Sequence, residues 1–349
     1  MRAEKKLRVA FIGAGGIARA QMRVLKGFSD VEIVAAADVS EPALAQAQAD
    51  HGIPALYRDW KEMLRREKPA AVSVCTPNGR HAEHTIGALR AGAHVMVEKP
   101  MAMNAREASL MTATARRLRR HLIIGFQYRF DARAQFIRQM AAEGRFGRIL
   151  FARCQALRRR GIPNWGVFGR KELQGGGPLI DIGVHIMEVA HYCMGSPRPV
   201  AASGQTFRYL GDKPCAVACH WPNWDYKTYT VEDLAIGHIR FDNGAVMHVE
   251  ASFAAHCHDA FTFTLMGEKG GADFDPPLIR TDEQGYMVDK TPAYLPQPDG
   301  FGRKLRLFVD TVLHGAPTEA PAEAGLMIQK MMDAIYASEA KGGREVLIR

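Results

Sequence analysis

The chain has 349 residues, of which 47% are hydrophobic and 24% charged, with a formal net charge of +9. These values suit a globular protein of two domains with enough core to need no disulfide scaffold. No low-complexity tract, internal repeat or apolar run of membrane-spanning length occurs, so a membrane span is not expected. The positive charge is densest at Arg116-Arg117-Leu118-Arg119-Arg120 and at Arg158-Arg159-Arg160. The first cluster suits the solvated C-terminal end of a helix, and no aromatic interleaving accompanies it, so nucleic acid is not an expected partner. The opening residues lead straight into an apolar run, leaving no room for a removable leader, and a cytoplasmic protein is expected. Cysteines at 75, 154, 193, 215, 219 and 257 lack disulfide-domain spacing and read as free thiols. Neither Cys215 and Cys219 with His220 nor His256-Cys257-His258 is backed by a second pair at zinc-finger spacing, so no metal is expected.

In chain order, an apolar run over 7–12 enters Gly13-Ala14-Gly15-Gly16-Ile17-Ala18, a match to G-x-G-x-x-G/A. The first glycine permits a tight turn, the second lets backbone approach a pyrophosphate, and the small third residue lets helix pack on strand. A second strand over 31–37 ends at Asp38, twenty residues beyond Ala18, the spacing of a ribose-binding acid. Val39 and Ser40 follow with no adjacent arginine, which favours NAD over NADP. Further strands are predicted over 71–75, 94–97 and 122–125, alternating with helices over 19–26, 42–51, 60–67, 81–91 and 105–119. This alternation describes a doubly wound parallel sheet, an α/β dinucleotide-binding domain over 1–126. Two motifs stand at strand C-termini, where ligands collect in such sheets: Cys75-Thr76-Pro77-Asn78 with His81, and Glu98-Lys99-Pro100.

After Phe126 the pattern changes. A helix over 132–143 precedes strands over 149–156, 234–241, 245–254 and 261–266, and Asp242-Asn243-Gly244 signals a hairpin. Helices over 304–313 and 323–341 lead to Val346-Leu347-Ile348. Residues 127–349 therefore read as a second domain with a large, mostly antiparallel open sheet, through which a homo-oligomer, dimer or tetramer, would form.

Within it, three glycines precede Pro178, and Asp181 and His185 stand four residues apart. If Pro178 opens a helix, positions i and i+4 point the same way and bring a carboxylate beside an imidazole. Such a pair can remove a proton from an alcohol, the carboxylate orienting the ring and steadying its charged form. Trp165 could stack on a ring, and the Arg158–Arg160 cluster could clamp an anion such as a sugar phosphate, although a solvated face suits at least two of its members better.

Taken together, Gly13 to Ala18, Asp38, Thr76-Pro77-Asn78 with His81, Glu98-Lys99-Pro100, Gly125-Phe126-Gln127-Tyr128-Arg129-Phe130 and Gly175 to His185 occur in order across nearly the whole chain. In these the sequence resembles the glucose-fructose oxidoreductase, inositol dehydrogenase and rhizopine-catabolism family, written Gfo/Idh/MocA. The resemblance implies an NAD-dependent oxidoreductase acting on a carbinol carbon of a sugar or cyclic polyol. It implies Lys99, Asp181 and His185 as catalytic residues, with Asn78, His81 and Glu98 at the nicotinamide end. Thr76, Pro77, Lys99 and Gln127 join the expected cofactor contacts, and Tyr128, Arg129, Arg158 and Trp165 join Lys99, Asp181 and His185 as expected substrate contacts. Glu188 stands where many members carry Asp, a tolerated exchange on this reading. Gln155-Ala156-Leu157-Arg158 lacks the polar set of inositol dehydrogenases, which argues against inositol itself. Two alternatives share the fold: a glycosidase that oxidises its sugar transiently, and a non-catalytic nucleotide-binding regulator.

Overall fold

The computed structural model describes residues 6–296 and 299–349; residues 1–5, on which the reading of the N-terminus rests, lie outside it. The chain divides into two compact units, Met1–Gln127 with Asp299–Leu326, and Tyr128–Pro298 with Met327–Arg349.

In the first unit β1 (Leu7–Ile12), α1 (Gly16–Leu25), β2 (Val31–Ala37), α2 (Glu41–His51), β3 (Ala55–Tyr57), α3 (Trp60–Glu67), β4 (Ala71–Val74), α4 (His81–Arg90), β5 (His94–Val97), α5 (Ala105–Leu118) and β6 (Leu122–Ile124) alternate. Every pairing is parallel, in the order β3-β2-β1-β4-β5-β6. The strands are continuous apolar runs, as strands buried on both faces must be; Val9, Ala10, Phe11, Val95, Met96 and Val97 are fully buried. Side chains cap several helices. Ser40 accepts from Ala43 N before α2, and before α5 Asn104 accepts from Glu107 N at 2.9 Å while its amide donates to the Glu107 carboxylate at 3.1 Å. Chain order reverses between β1 and β4, the switch point where a sheet of this kind opens a crevice beyond its strand C-termini. The three-residue β3 was not anticipated, being too short to show a period.

In the second unit α6 (Ala132–Ala142), β7 (Ile149–Leu157) and α7 (Lys171–Gln174) lead to a π-helical turn over Leu179–Gly183 that runs into α8 (Val184–Cys193). Next come β8 (Pro199–Phe207), β9 (Leu234–Phe241), β10 (Val246–Ser252), β11 (Ala260–Gly267), β12 (Gly270–Asp273), β13 (Leu278–Glu283) and β14 (Tyr286–Lys290). After α9 (Gly300–His314) and α10 (Ala322–Glu339), β15 (Val346–Leu347) closes the sheet. Its order is β14-β13-β12-β11-β7-β10-β9-β8-β15, antiparallel throughout except where β7 meets β10. Alternation along β9 and β10 buries one face, and α8 packs against β7 and β11 on that side. The other face carries Arg153, Gln155, Ile236, His238, His248, Glu250 and Met266. The Asp242-Asn243-Gly244 turn joins β9 to β10, with Gly244 at φ +83°.

The reading from sequence gave all of 127–349 to the second domain, whereas Asp299–Leu326, and with it α9, clusters with the first unit. The reason lies in buried contacts: Ile124 N donates to Ala320 O at 3.0 Å, and the Lys304 ammonium reaches Glu98 at 2.8 Å.

Candidate active site

At the ligand end of the first unit, Gly13 adopts φ +97°, and a Cβ there would lie 2.7 Å from Cys75 O. Only glycine fits. Around Gly15 and Gly16 a Cβ would meet nothing within 4 Å. Gly15 caps α1 and has no side chain to bond its first turn, leaving backbone N–H groups directed outward for a phosphate. Asp38 is fixed at both oxygens: one accepts from Ala14 N and the other from Ser40 N, each at 2.8 Å. A cavity of about 640 Å³ lies beside it, lined by Gly15, Asp38, Val39, Thr76 and Pro77. Ile17 is 40% exposed at the mouth of this region while Ala18 is fully buried against the strand, as the motif requires.

The same cavity includes Arg58, Trp60, Arg80 and His84, none of which was foreseen. Both arginines come from beyond the local sequence, and both are paired, Arg58 with Glu41 at 2.8 Å and Arg80 with Glu83 at 3.1 Å. Asp38 therefore keeps its charge uncompensated by them. His84 meets Thr76 Oγ1 at 3.0 Å and the Trp60 ring edge-on at 5.2 Å, and burial pulls its pKa down to about 4.

Deeper in this unit, Asn78 is buried, and His81 is held between Pro100 O and Thr76 O, each 2.8 Å from a ring nitrogen. Burial lowers the pKa of His81, against the two carbonyls and Glu98, which favour its charged form. Glu98 turns inward. Its carboxylate accepts from Gln21 Nε2 at 2.6 Å, from Lys304 Nζ at 2.8 Å and from Lys99 N at 3.3 Å, and Ser73 Oγ donates to Gln21 Oε1 at 2.6 Å. Burial pushes the Glu98 carboxyl up, but the Lys304 ammonium with the neighbouring donors more than offsets this, so its pKa lies below the ordinary value. A Cβ at Gly125 would sit 2.9 Å from Glu98 Oε2, which explains that glycine. Glu98 thus anchors the Lys99 backbone from beneath, and Lys99 itself is partly accessible, as is Gln127.

In the second unit the segment after Pro178 begins as a π-helical turn where an α-helix was expected. Tight packing accompanies this start: a Cβ on Gly176 would strike Tyr336 Oη at 2.1 Å, and one on Gly177 would strike Glu232 O at 2.4 Å. The Glu232 carboxylate caps the segment from outside, accepting from Gly177 N at 2.9 Å, from Leu179 N at 3.4 Å and from the Tyr336 hydroxyl at 2.8 Å. π-turns inside helices concentrate at functional sites, since they re-aim side chains without ending the helix. Asp181 lies in the π-turn and His185 in the first turn of α8. From Gly176 to Ala190 these two are the only residues not buried, so both stand on the accessible face despite the altered helix geometry.

Around them, Tyr128 meets the His185 ring edge-on at 5.1 Å and Phe261 at 4.9 Å. Arg158 is held by its backbone, N to Ser252 O at 3.0 Å, and by its guanidinium, Nη1 to Gly161 O at 3.1 Å. Burial lowers its pKa, opposed by the negative charges of Asp181 and Asp259. Of its neighbours, Arg159 is exposed, and Arg160 contacts His256 Nε2 at 3.1 Å. Trp165 is 50% exposed.

Arg129 departs from expectation. It is 3% exposed and forms a buried ion pair with Glu188, its guanidinium 4.9 Å from the centre of the Tyr192 ring. Its charge is directed into the unit's core, and Glu188, read as a tolerated exchange, is the partner that keeps that charge compensated. Among the described residues no group of three or more His, Cys, Asp or Glu is arranged to hold a metal, and Cys215 and Cys219 lie with sulfurs 3.7 Å apart.

Residues 7–126 match the model of an oxidoreductase family with an NAD-binding Rossmann fold, and residues 134–273 match the GFO/IDH/MocA C-terminal domain. The chain is 39% identical over 343 residues to D-glucoside 3-dehydrogenase of Escherichia coli (strain K12), with 97% of each covered. It is 26% identical over 331 residues to myo-inositol 2-dehydrogenase of Thermotoga maritima, with 92% of each covered. In fold it resembles levoglucosan dehydrogenase in complex with NADH, with a TM-score of 0.85 over 99% of this chain and 100% of that one, at 22% identity. With both family models matched in order over most of its length, the chain belongs to the Gfo/Idh/MocA oxidoreductases, and its first unit is an NAD-binding Rossmann domain.

Proposed function

We propose that this protein oxidises a secondary ring hydroxyl of a D-glucoside, at C3, with Lys99, Asp181 and His185 as its catalytic residues. The observation that carries the reading is the pair Asp181 and His185, the only accessible side chains in a segment otherwise buried from Gly176 to Ala190. The choice of a glucoside rests on the full-length likeness to D-glucoside 3-dehydrogenase. Gly13, Gly15, Gly16, Ile17 and Asp38 would hold NAD at its pyrophosphate and ribose, with Thr76 and Pro77 walling the same cavity and Asn78, His81 and Gln127 toward the nicotinamide. Bound NAD supplies the hydride acceptor.

Each residue then has a distinct task. His185 takes the hydroxyl proton, and Asp181 steadies the imidazolium that results. The Lys99 ammonium stabilises negative charge as it grows on the substrate oxygen. Tyr128 limits the motion of the His185 ring, and Arg158 sets the field at Asp181.

The test is NAD reduction over a panel of methyl glucosides, free aldoses, sugar phosphates and inositols, with the product identified as the 3-keto sugar. Lys99→Ala and His185→Ala should each lower kcat on the order of a hundredfold or more. Wild-type turnover in either variant would overturn the assignment. Release of free sugar without net NADH would point instead to glycoside cleavage. We also propose a homo-oligomer formed through the open sheet face, on which Ile236 and Met266 are 36% and 50% exposed; sedimentation reads it directly. We also propose a cytoplasmic location, on the cysteine spacing, which suits no disulfide framework.

A further inference from the structure

We infer that Trp165, braced edge-on by Trp221, is the platform of an aglycone subsite that receives a second pyranose ring, so that the preferred glucoside is a disaccharide; this rests on the glucoside reading above. Arg158 links this place to the catalytic face, since the negative charge of Asp181 acts on its guanidinium. The Arg158 guanidinium lies 5.3 Å from the centre of the Trp221 ring, and Trp221 meets Trp165 edge-on at 4.7 Å.

Trp165 differs from the structural tryptophan nearby. Trp224 is 8% exposed and donates to Gly211 O at 2.8 Å, whereas Trp165 leaves half its surface accessible. An accessible indole face offers an apolar platform to the C–H face of a sugar ring. Hydroxyls on that ring need partners as well, and a cavity of about 150 Å³ walled by Trp165 and the buried Trp224 also presents Asn164, Asp225 and Thr228. Its volume is well below the roughly 300–1,000 Å³ of a complete small-ligand pocket, as fits one ring of a larger substrate. Asp225 already accepts from Thr228 Oγ1 at 2.7 Å and from Lys227 N at 3.2 Å, but its carboxylate keeps further acceptor sites for hydroxyls, which an aryl aglycone lacks, and the polar lining therefore favours a sugar.

The experiment compares kcat/KM for a glucosyl disaccharide, methyl glucoside and phenyl glucoside in the wild type, Trp165→Ala and Trp165→Phe. The ratio of disaccharide to methyl glucoside should fall about tenfold in Trp165→Ala, chiefly through KM, and recover in part in Trp165→Phe. An unchanged ratio, or a fall confined to phenyl glucoside, would overturn the proposal. Calorimetric titration of the same sugars into NADH-loaded protein, which cannot accept a hydride from them, reads the subsite without turnover. Weaker disaccharide binding in Trp165→Ala supports it even where no substrate is oxidised, an outcome that would sink the dehydrogenase reading alone. Equal binding in both proteins would sink the subsite.

Discussion

Lys304 is 1% exposed and its ammonium has one carboxylate to meet, that of Glu98, 206 residues earlier. Removing one member of a buried pair leaves the other charge desolvated and uncompensated, at a cost of about 3–5 kcal/mol. Lys304→Met should lower stability by that amount, read as the shift of a urea midpoint, and Glu98→Gln combined with Lys304→Met should recover part of it. Additive losses in the double variant would mean that the pair does not act as a pair. In the wild type the sign with pH follows from the depressed Glu98 pKa: the contribution is present above the unfolded carboxyl value and is lost as pH falls through the folded one. Glu98 was legible in the sequence as part of a motif beyond a strand. Its inward direction and Lys304 were not, because a lysine in an amphipathic helix ordinarily reads as solvated and nothing local marks a partner two hundred residues away. Arg129 was misjudged for the same reason: a motif names a residue, but burial decides which way its charge turns.

At the scale of elements, α8 divides its polar residues between two surfaces, His185 outward and Glu188 and His191 inward. His191 sets Nε2 2.7 Å from Pro197 O, while its buried Nδ1 has no hydrogen-bond partner among the described residues, so a second proton would be stranded there. Burial pulls its pKa, like that of His84 on α4, down to about 4 from the ordinary 6.5. The unfolded chain therefore binds protons that the fold refuses. Stability from these groups is complete above about pH 6.5 and is lost as pH falls toward 4, by about 2 kcal/mol for each between pH 7 and pH 5. Urea midpoints at the two pH values should show the fall, and His191→Phe, which keeps the ring on Phe241, should show less of it. Identical pH dependence in variant and wild type would contradict the account. The spacing of Asp181 and His185, which both stay partly accessible, was legible in the sequence. The π-turn was not, because it depends on Tyr336 and Glu232 pressing against Gly176 and Gly177, contacts that join distant stretches of chain. Strands β8 and β12 to β14 escaped for a related reason: mixed polar and glycine-rich segments gain strand form from their neighbours in the sheet rather than from their own pattern.

For the molecule as a whole, the strand alternation made the first unit legible, but the return of Asp299–Leu326 to it was hidden, since α9 joins through buried contacts that no linear signal announces. Two units with separate cores need not melt together, and a ligand that binds one of them stabilises that one first. NAD at about a hundred times its Kd should add about 2.7 kcal/mol to the first unit. For a body of this size that corresponds to a rise of about 5–10 °C in its transition, visible by calorimetry. Gly13→Ala forces a Cβ within 2.7 Å of Cys75 O at a positive φ and should abolish the rise. NADP should give a smaller rise than NAD at equal concentration, because the Asp38 carboxylate would face the 2′-phosphate while Arg58 and Arg80 are already engaged by Glu41 and Glu83. An equal rise with both cofactors would show that one of these arginines leaves its glutamate to meet the phosphate, and the preference for NAD would then have to come from elsewhere in the cavity.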